Sequence, residues 1–195
     1  MWAVRPFMVW NGLLALVPFA LAVLIFRPNA RRNVVWWAGL AVWIAFLPNA
    51  PYVLTDVVHL VDDMQRTSAD RDAYALLVVY GAFFALGLAL YGISMWLCER
   101  RLDPWIGVTR RRVVAVAIHL ACAVGVYLGR FVRVNSWDVV TDPQRVGGGV
   151  RDLGDRFPIV VVLLTFVGLV IASFAVRVVA HAGADMVTRA VRSAR

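Results

Sequence analysis

The chain has 195 residues, 62% of them hydrophobic and only 16% charged, with a mean hydropathy of +0.74. Ordinary soluble domains are about half apolar and about a quarter charged, so a water-soluble fold is excluded, and the even spread of apolar runs points to one membrane domain. The formal net charge is +8 and all twenty basic residues are arginine; they lie in short connections between apolar runs, and no segment combines a basic stripe with exposed aromatics, so they read as topology determinants and lipid contacts rather than a nucleic-acid surface.

Five segments are long enough to span. Each reaches the ~20 apolar residues needed to cross ~30 Å of hydrocarbon, and backbone groups in lipid must pair within the segment, so each is expected to be a helix. The first runs from Phe7 to Phe26. Its Ala20-Leu21-Ala22 resembles a signal-peptidase site, but apolar sequence continues to Phe26 without a polar region, so a retained helix is expected. Trp2, Trp10, Trp36 and Trp37 suit interfacial belts.

The second segment, Val34 to about Leu60, carries the most chemistry. Val34 to Leu47 extends only ~21 Å as a helix, so the span must continue past Pro48. Pro48 and Pro51 lack an N–H and free the carbonyls of Ile44 and Leu47, so a break is expected near Asn49. If helix resumes at Tyr52, then Tyr52, Thr55, Asp56 and His59 fall on one face of an otherwise apolar helix. Polar groups at membrane depth are costly unless paired or wet, so this stripe marks a site. Asp56 and His59 have the chemistry of a general base with its orienter, a pair of metal ligands or a pH-sensitive couple. Two ligands make no metal site, so no metal is expected. A hydrogen-bonded network that pins a broken helix is the plainer alternative.

The third segment runs from Tyr74 to Cys98. Before it, Asp62, Asp63, Asp70 and Asp72 read as a solvated acidic loop without EF-hand spacing. The fourth runs from Val113 to about Val132 and contains His119, either a proton relay or a neutral hydrogen-bonded residue. Gly125 and Gly129 form a G-x-x-x-G that Ala117 and Ala121 extend backward. Gly81, Ala85 and Ala89 make a similar stripe on the third segment, and both are expected to pack helices closely. Around Gly129 lie Tyr127, Arg130 and Arg133 near one face, followed by Asn135, Ser136, Trp137 and Asp138. An arginine pair at a membrane surface suits a carboxylate or phosphate, which guanidinium holds in a bidentate way. The alternative is an Asp56–Arg130 or Asp138–Arg133 ion pair tying two helices together. Gly147-Gly148-Gly149 lacks the lysine and context of a phosphate loop and reads as a flexible connector. The fifth segment runs from Phe157 to Ala180. Cys98 and Cys122 lie in or at the edge of apolar runs and read as small buried hydrophobes, not as a disulfide or zinc site.

Loop charges give an orientation. Arg27, Arg31, Arg32, Arg100, Arg101, Arg110, Arg111, Arg112, Arg177, Arg189, Arg192 and Arg195 share one side with only Glu99, Asp103 and Asp185. The other side has eight arginines and nine acids. The positive-inside rule places the N-terminus outside and the C-terminus in the cytoplasm. The motifs at the ends of the second and fourth segments then emerge on the same, outer side. No internal repeat suggests an inverted-repeat transporter.

Two blocks, LPNAPYVLTDVVHL and YLGRFVRVNSWD, resemble motifs of the bacterial membrane family catalogued as domain of unknown function 1361. Trp10-Asn11 with Val17-Pro18-Phe19 is similar to that family's first helix. The resemblance covers about residues 7 to 180 and implies a multi-pass membrane fold without implying a reaction.

The fold expected is an all-α polytopic integral membrane helix bundle of five transmembrane helices. Residues 7–180 form a single domain and residues 181–195 a basic cytoplasmic tail. The expected ligand site comprises Asn49, Tyr52, Thr55, Asp56, His59, Tyr127, Arg130, Arg133, Asn135, Trp137 and Asp138. Its occupant is an anionic lipid headgroup or a partner helix, from another membrane protein or a second copy. Two alternatives are an enzyme acting on a lipid-linked substrate, with His59 and Asp56 as catalytic candidates, and a proton- or ion-coupled transporter using His119. No cofactor is expected.

Overall fold

The computed structural model describes residues 5–193, excepting the side chains of residues 103–105, 139, 152, 184, 185 and 187–193. Trp2 and Arg195 lie outside the described residues, as do the side chains of Asp103, Asp185, Arg189 and Arg192. The described residues form helices and no strand. Five helices are long and apolar enough to cross a membrane. Span one is Pro6–Ile25, span two Val34–Gln65, span three Asp70–Leu102, span four Ile106–Val132 and span five Arg156–Gly183. The protein is an all-helical, multi-pass membrane protein.

Most spans outrun their apolar segments. Span three starts at Asp70 rather than Tyr74, and span four at Ile106 rather than Val113. Once nucleated, a helix gains a backbone hydrogen bond per added residue and does not stop at the hydrocarbon edge. The last helix likewise continues from Arg156 to Ser193, so no break separates residues 7–180 from the tail.

Local chemistry fixes the connections. The Asn33 side chain accepts a hydrogen bond from the Trp36 amide at the start of span two (3.0 Å), as an N-cap does. The Trp36 indole donates to the Ile25 carbonyl (2.8 Å) and ties off the end of span one. Spans three and four are one helical run broken at Gly107, with φ 68° and ψ 169°, a backbone geometry essentially confined to glycine. There the chain turns back, so that Tyr91 and His119 meet through a hydrogen bond between the Tyr91 hydroxyl and His119 Nδ1.

Trp43, Tyr91, Met95 and Leu169 are fully buried at the core, and span five packs along the hairpin of spans three and four. Many large apolar side chains remain outside, among them Val78, Leu164 and Ile171. Such a surface suits acyl chains rather than water. Cys98 and Cys122 are free and buried.

Three sequence expectations are corrected here. Gly81 and Ala85 are exposed and Ala89 is half-buried, while Ala117 and Ala121 are exposed. The close contacts of span three fall instead on Gly87 and Gly92, because spacing fixes a stripe but not which face it presents. Gly147-Gly148-Gly149 is not a loose connector: it lies on a short helix, Pro143–Arg151, whose Gly149 is seated on Leu128 and Val132 of the preceding turn. The acids are not all solvated. Asp63 is buried on the last turns of span two, paired with Arg5 and accepting from the Tyr80 hydroxyl (2.9 Å). Glu99 is buried and paired with Arg177 (2.9 Å), because span three extends beyond its apolar segment and meets an arginine near the end of the fifth.

Candidate functional site

The site begins with the break in span two. Regular helix ends at Phe46. A short turn, Asn49–Tyr52, a 3₁₀ stretch, Val53–Asp56, and a final helix, Val57–Gln65, follow. The break expected from Pro48 and Pro51 is therefore a tightening: Pro48, Tyr52, Val53 and Val57 keep helical dihedrals, and of the junction residues Asp56, at ψ 1°, departs from them. The Ala50 amide donates to the Leu47 carbonyl (3.2 Å) and the Tyr52 amide to the Pro48 carbonyl (3.0 Å). The Leu47 carbonyl, which Pro51 cannot reach, is thus satisfied without water.

Tightening also splits the expected stripe. A 3₁₀ turn has three residues rather than 3.6, so Asp56 lies below Val53, and both are buried. The Asp56 carboxylate accepts from the Asn11 amide of span one (2.7 Å). His59 packs against the Phe7 ring at 4.3 Å between centroids. The Thr55 hydroxyl donates to the Tyr52 carbonyl (2.8 Å). Asp56 and His59 face span one, Tyr52 faces span four, and among the described residues no hydrogen bond joins Asp56 to His59.

Span four meets this segment through its glycines. A Cβ on Gly125 would lie 2.6 Å from Pro48 Cγ, and one on Gly129 would lie 3.1 Å from Tyr52 Cε2. The G-x-x-x-G is thus the surface on which the broken end of span two rests. The Asn49 amide reaches across to the Ser136 hydroxyl (3.0 Å). The ends of spans two and four therefore meet at the same end of the bundle, as the motif positions required.

The end of span four is unusual. Leu128–Val132 is a π-helix, a local widening often found at functional sites. It closes on Arg133, whose backbone is left-handed at φ 59° and ψ 44°. The Val134 amide then bonds back to the Leu128 carbonyl (3.2 Å). A left-handed conformation costs a non-glycine residue ~1–2 kcal/mol. Arg133→Gly should therefore raise stability by up to ~1 kcal/mol while Arg133→Ala leaves it level or lower, read as the thermal midpoint in detergent. Equal midpoints for glycine and alanine would show that the backbone there is unstrained.

Two contiguous cavities occupy this junction. The inner one, about 270 Å³, runs from Trp10, Asn11 and Leu14 to Asn49, Gly125 and Trp137. The outer one, about 520 Å³ and open, is lined by Tyr52, Gly129, Arg130, Arg133 and Asn135. Tyr52, Gly129 and Asn135 line both. The inner chamber is mainly apolar walled, and the outer holds two guanidinium groups. Among the described residues no carboxylate lies at ion-pair distance from either arginine, so neither the Asp56–Arg130 nor the Asp138–Arg133 bridge is formed. Asp138 instead accepts from the Asn135 amide (2.7 Å) and holds the turn that forms the cavity rim.

Of the sequence-derived site residues, Asn49, Tyr52, Arg130, Arg133, Asn135 and Trp137 line the cavities. Thr55, Asp56, His59, Tyr127 and Asp138 line neither. Tyr127 is buried and stacked on Phe131 at 5.1 Å. Sequence reasoning missed Asn11 as a member of the site. Its signal was available: an isolated amide in an apolar span needs a partner. Asn11→Leu leaves the buried Asp56 without its donor and should destabilise by ~1–3 kcal/mol. Asp56→Asn retains an amide partner for Asn11 and should cost less. Denaturant unfolding of the two variants measures the order, and a milder Asn11→Leu would mean that Asp56 finds another donor.

Residues 10–171 match the model of the family described as "Protein of unknown function (DUF1361)". The chain belongs to this family. Neither a curated protein nor a solved structure matches it. Both blocks that form the junction lie inside the matched region, and so does Asn11. As a DUF1361 member the protein has a family whose molecular function is unknown, so its chemistry must be argued from the junction itself.

Proposed function

We propose that the junction binds the headgroup of an anionic, phosphate-bearing lipid in the outer leaflet. The observation that carries this reading is the shared wall between a chamber of mainly apolar lining and a chamber whose two arginines have no carboxylate partner among the described residues. An amphiphile with a negative head has that division of polarity. Arg130 and Arg133 contact the anion, and Asn49 and Tyr52 orient it. Guanidinium forms bidentate, charge-assisted bonds with phosphate oxygens. Asp56, held by Asn11, fixes the angle at which span one supports the chamber. The loop charges support an N-terminus outside and a cytoplasmic C-terminus in the cell membrane.

The reading of His59 and Asp56 as a catalytic couple gains no support, because base and orienter need a hydrogen bond that these two do not make. Membrane lipids are the partners expected, with no contribution from nucleic acid.

Native mass spectrometry of the purified protein tests the proposal. Arg130→Ala combined with Arg133→Ala should lower retained phosphatidylglycerol by about tenfold or more, since bonds to charged groups contribute ~1.5–3 kcal/mol each. Unchanged retention in a folded double variant defeats it. Cysteine accessibility across residues 62–72 reads the orientation: labelling from the cytoplasmic side overturns the outer placement.

A further inference from the structure

The other end of the bundle carries a second basic groove, built from different residues. Its volume is about 470 Å³ and it lies between spans one and three. Val23, Phe26 and Leu97 form an apolar wall, and Arg27, Arg100 and Arg101 line it with them. Among the described residues no acid lines this groove. Arg101 donates to the Ala30 carbonyl (2.9 Å), which ties the connection after span one to the end of span three and holds the groove's two sides together. The Arg100 guanidinium lies 4.7 Å from the Trp96 ring centroid, a cation–π contact that orients the fork.

Arg100 also borders a neighbouring cleft of about 400 Å³ that includes Arg111, Arg177 and His181. Among the described residues the one carboxylate lining that cleft is Glu99, which is paired with Arg177. Arg100 thus stands between two clefts whose described linings are rich in arginine. Basic pockets between transmembrane helices attract anionic headgroups through this combination of charge and depth.

We propose that the groove lined by Arg27, Arg100 and Leu97 is a second site for a phospholipid of net negative charge. Its phosphate lies between Arg27 and Arg100 and its glycerol and upper acyl carbons lie on Val23, Phe26 and Leu97. Charge complementarity selects the phosphate, and the apolar wall selects an amphiphile over a free anion. The site shares no residue with the junction of spans two and four, so each stands or falls independently.

The full-length protein is purified, delipidated in detergent and exchanged with equal amounts of phosphatidylglycerol and phosphatidylcholine before native mass spectrometry. The wild type should retain phosphatidylglycerol in preference to phosphatidylcholine. Arg27→Gln with Arg100→Gln should reduce this retention roughly tenfold at one site, and Arg130→Ala with Arg133→Ala should leave that site filled. Loss confined to the Arg130/Arg133 variant overturns the second site and leaves the first. Equal retention of the two lipids overturns the charge selection. Binding of inorganic phosphate that disappears in Arg27→Gln/Arg100→Gln, without phosphatidylglycerol retention, assigns a free-anion site and overturns the lipid. A photoreactive amino acid replacing Leu97 provides a measurement that leaves every arginine in place. In vesicles containing phosphatidylglycerol it should crosslink that lipid several-fold above phosphatidylcholine, and equal crosslinking overturns the proposal even if the glutamine variants fail to fold.

Discussion

Gly87→Ala is expected to destabilise the protein, whereas Gly81→Ala on the same helix is expected to be neutral or slightly stabilising. A Cβ at Gly87 would lie 2.3 Å from Val53 Cγ2 and 2.6 Å from the Ala50 carbonyl oxygen. The second contact is with backbone, which cannot rotate away. Overpacking of this kind costs ~1–3 kcal/mol. Gly81 has nothing within 4 Å of the same atom, so only helix propensity changes, in favour of alanine. Urea or thermal unfolding in detergent reads the opposite signs. Because Ala50 and Val53 belong to the tightened part of span two, Gly87→Ala should also weaken lipid retention at the junction. Equal, small effects at both glycines would mean that span two is not seated on span three.

Glu99→Ala is expected to cost more, ~3–5 kcal/mol, the usual penalty for removing one partner of a buried ion pair. Glu99 is buried, while the Arg177 side chain is one-third exposed at 33%, so the lower end of that range applies. The double variant Glu99→Leu with Arg177→Leu should recover much of the loss, since both desolvated charges disappear together. Unfolding midpoints of the single and double variants complete the cycle. If Glu99→Ala matches wild type, the pair behaves as an exposed surface bridge, worth ~0–1 kcal/mol.

The spans were legible because each is an apolar run with arginines at its ends, and the meeting of the two motifs followed from parity. Two spans separate the end of span two from the end of span four, so both emerge together. What was not legible depended on facing and register. Gly81 and Gly87 are six residues apart in one helix, and nothing in the sequence says which is buried. The π-helix at Leu128–Val132 shifts every following side chain, which separates Arg133 from the helical face it would share with Tyr127. The 3₁₀ turn at Val53–Asp56 does the same to Asp56 and His59. Glu99 was placed in a connection, and Arg177 at the very end of the fifth segment, because hydropathy marks the edge of the hydrocarbon, not the end of a helix.

The Asn49–Ser136 bond joins residues 87 positions apart. At ~5–20 residues per second of synthesis, the ribosome needs about 4–17 s to make the partner. For most of that interval Pro48 and Tyr52 have no Gly125 or Gly129 to rest against. The second helix is therefore made before the surface that supports its broken segment exists. The chain's biogenesis is thus two-stage: an early deposit of helices, then a late clasp that only the fourth one can fasten.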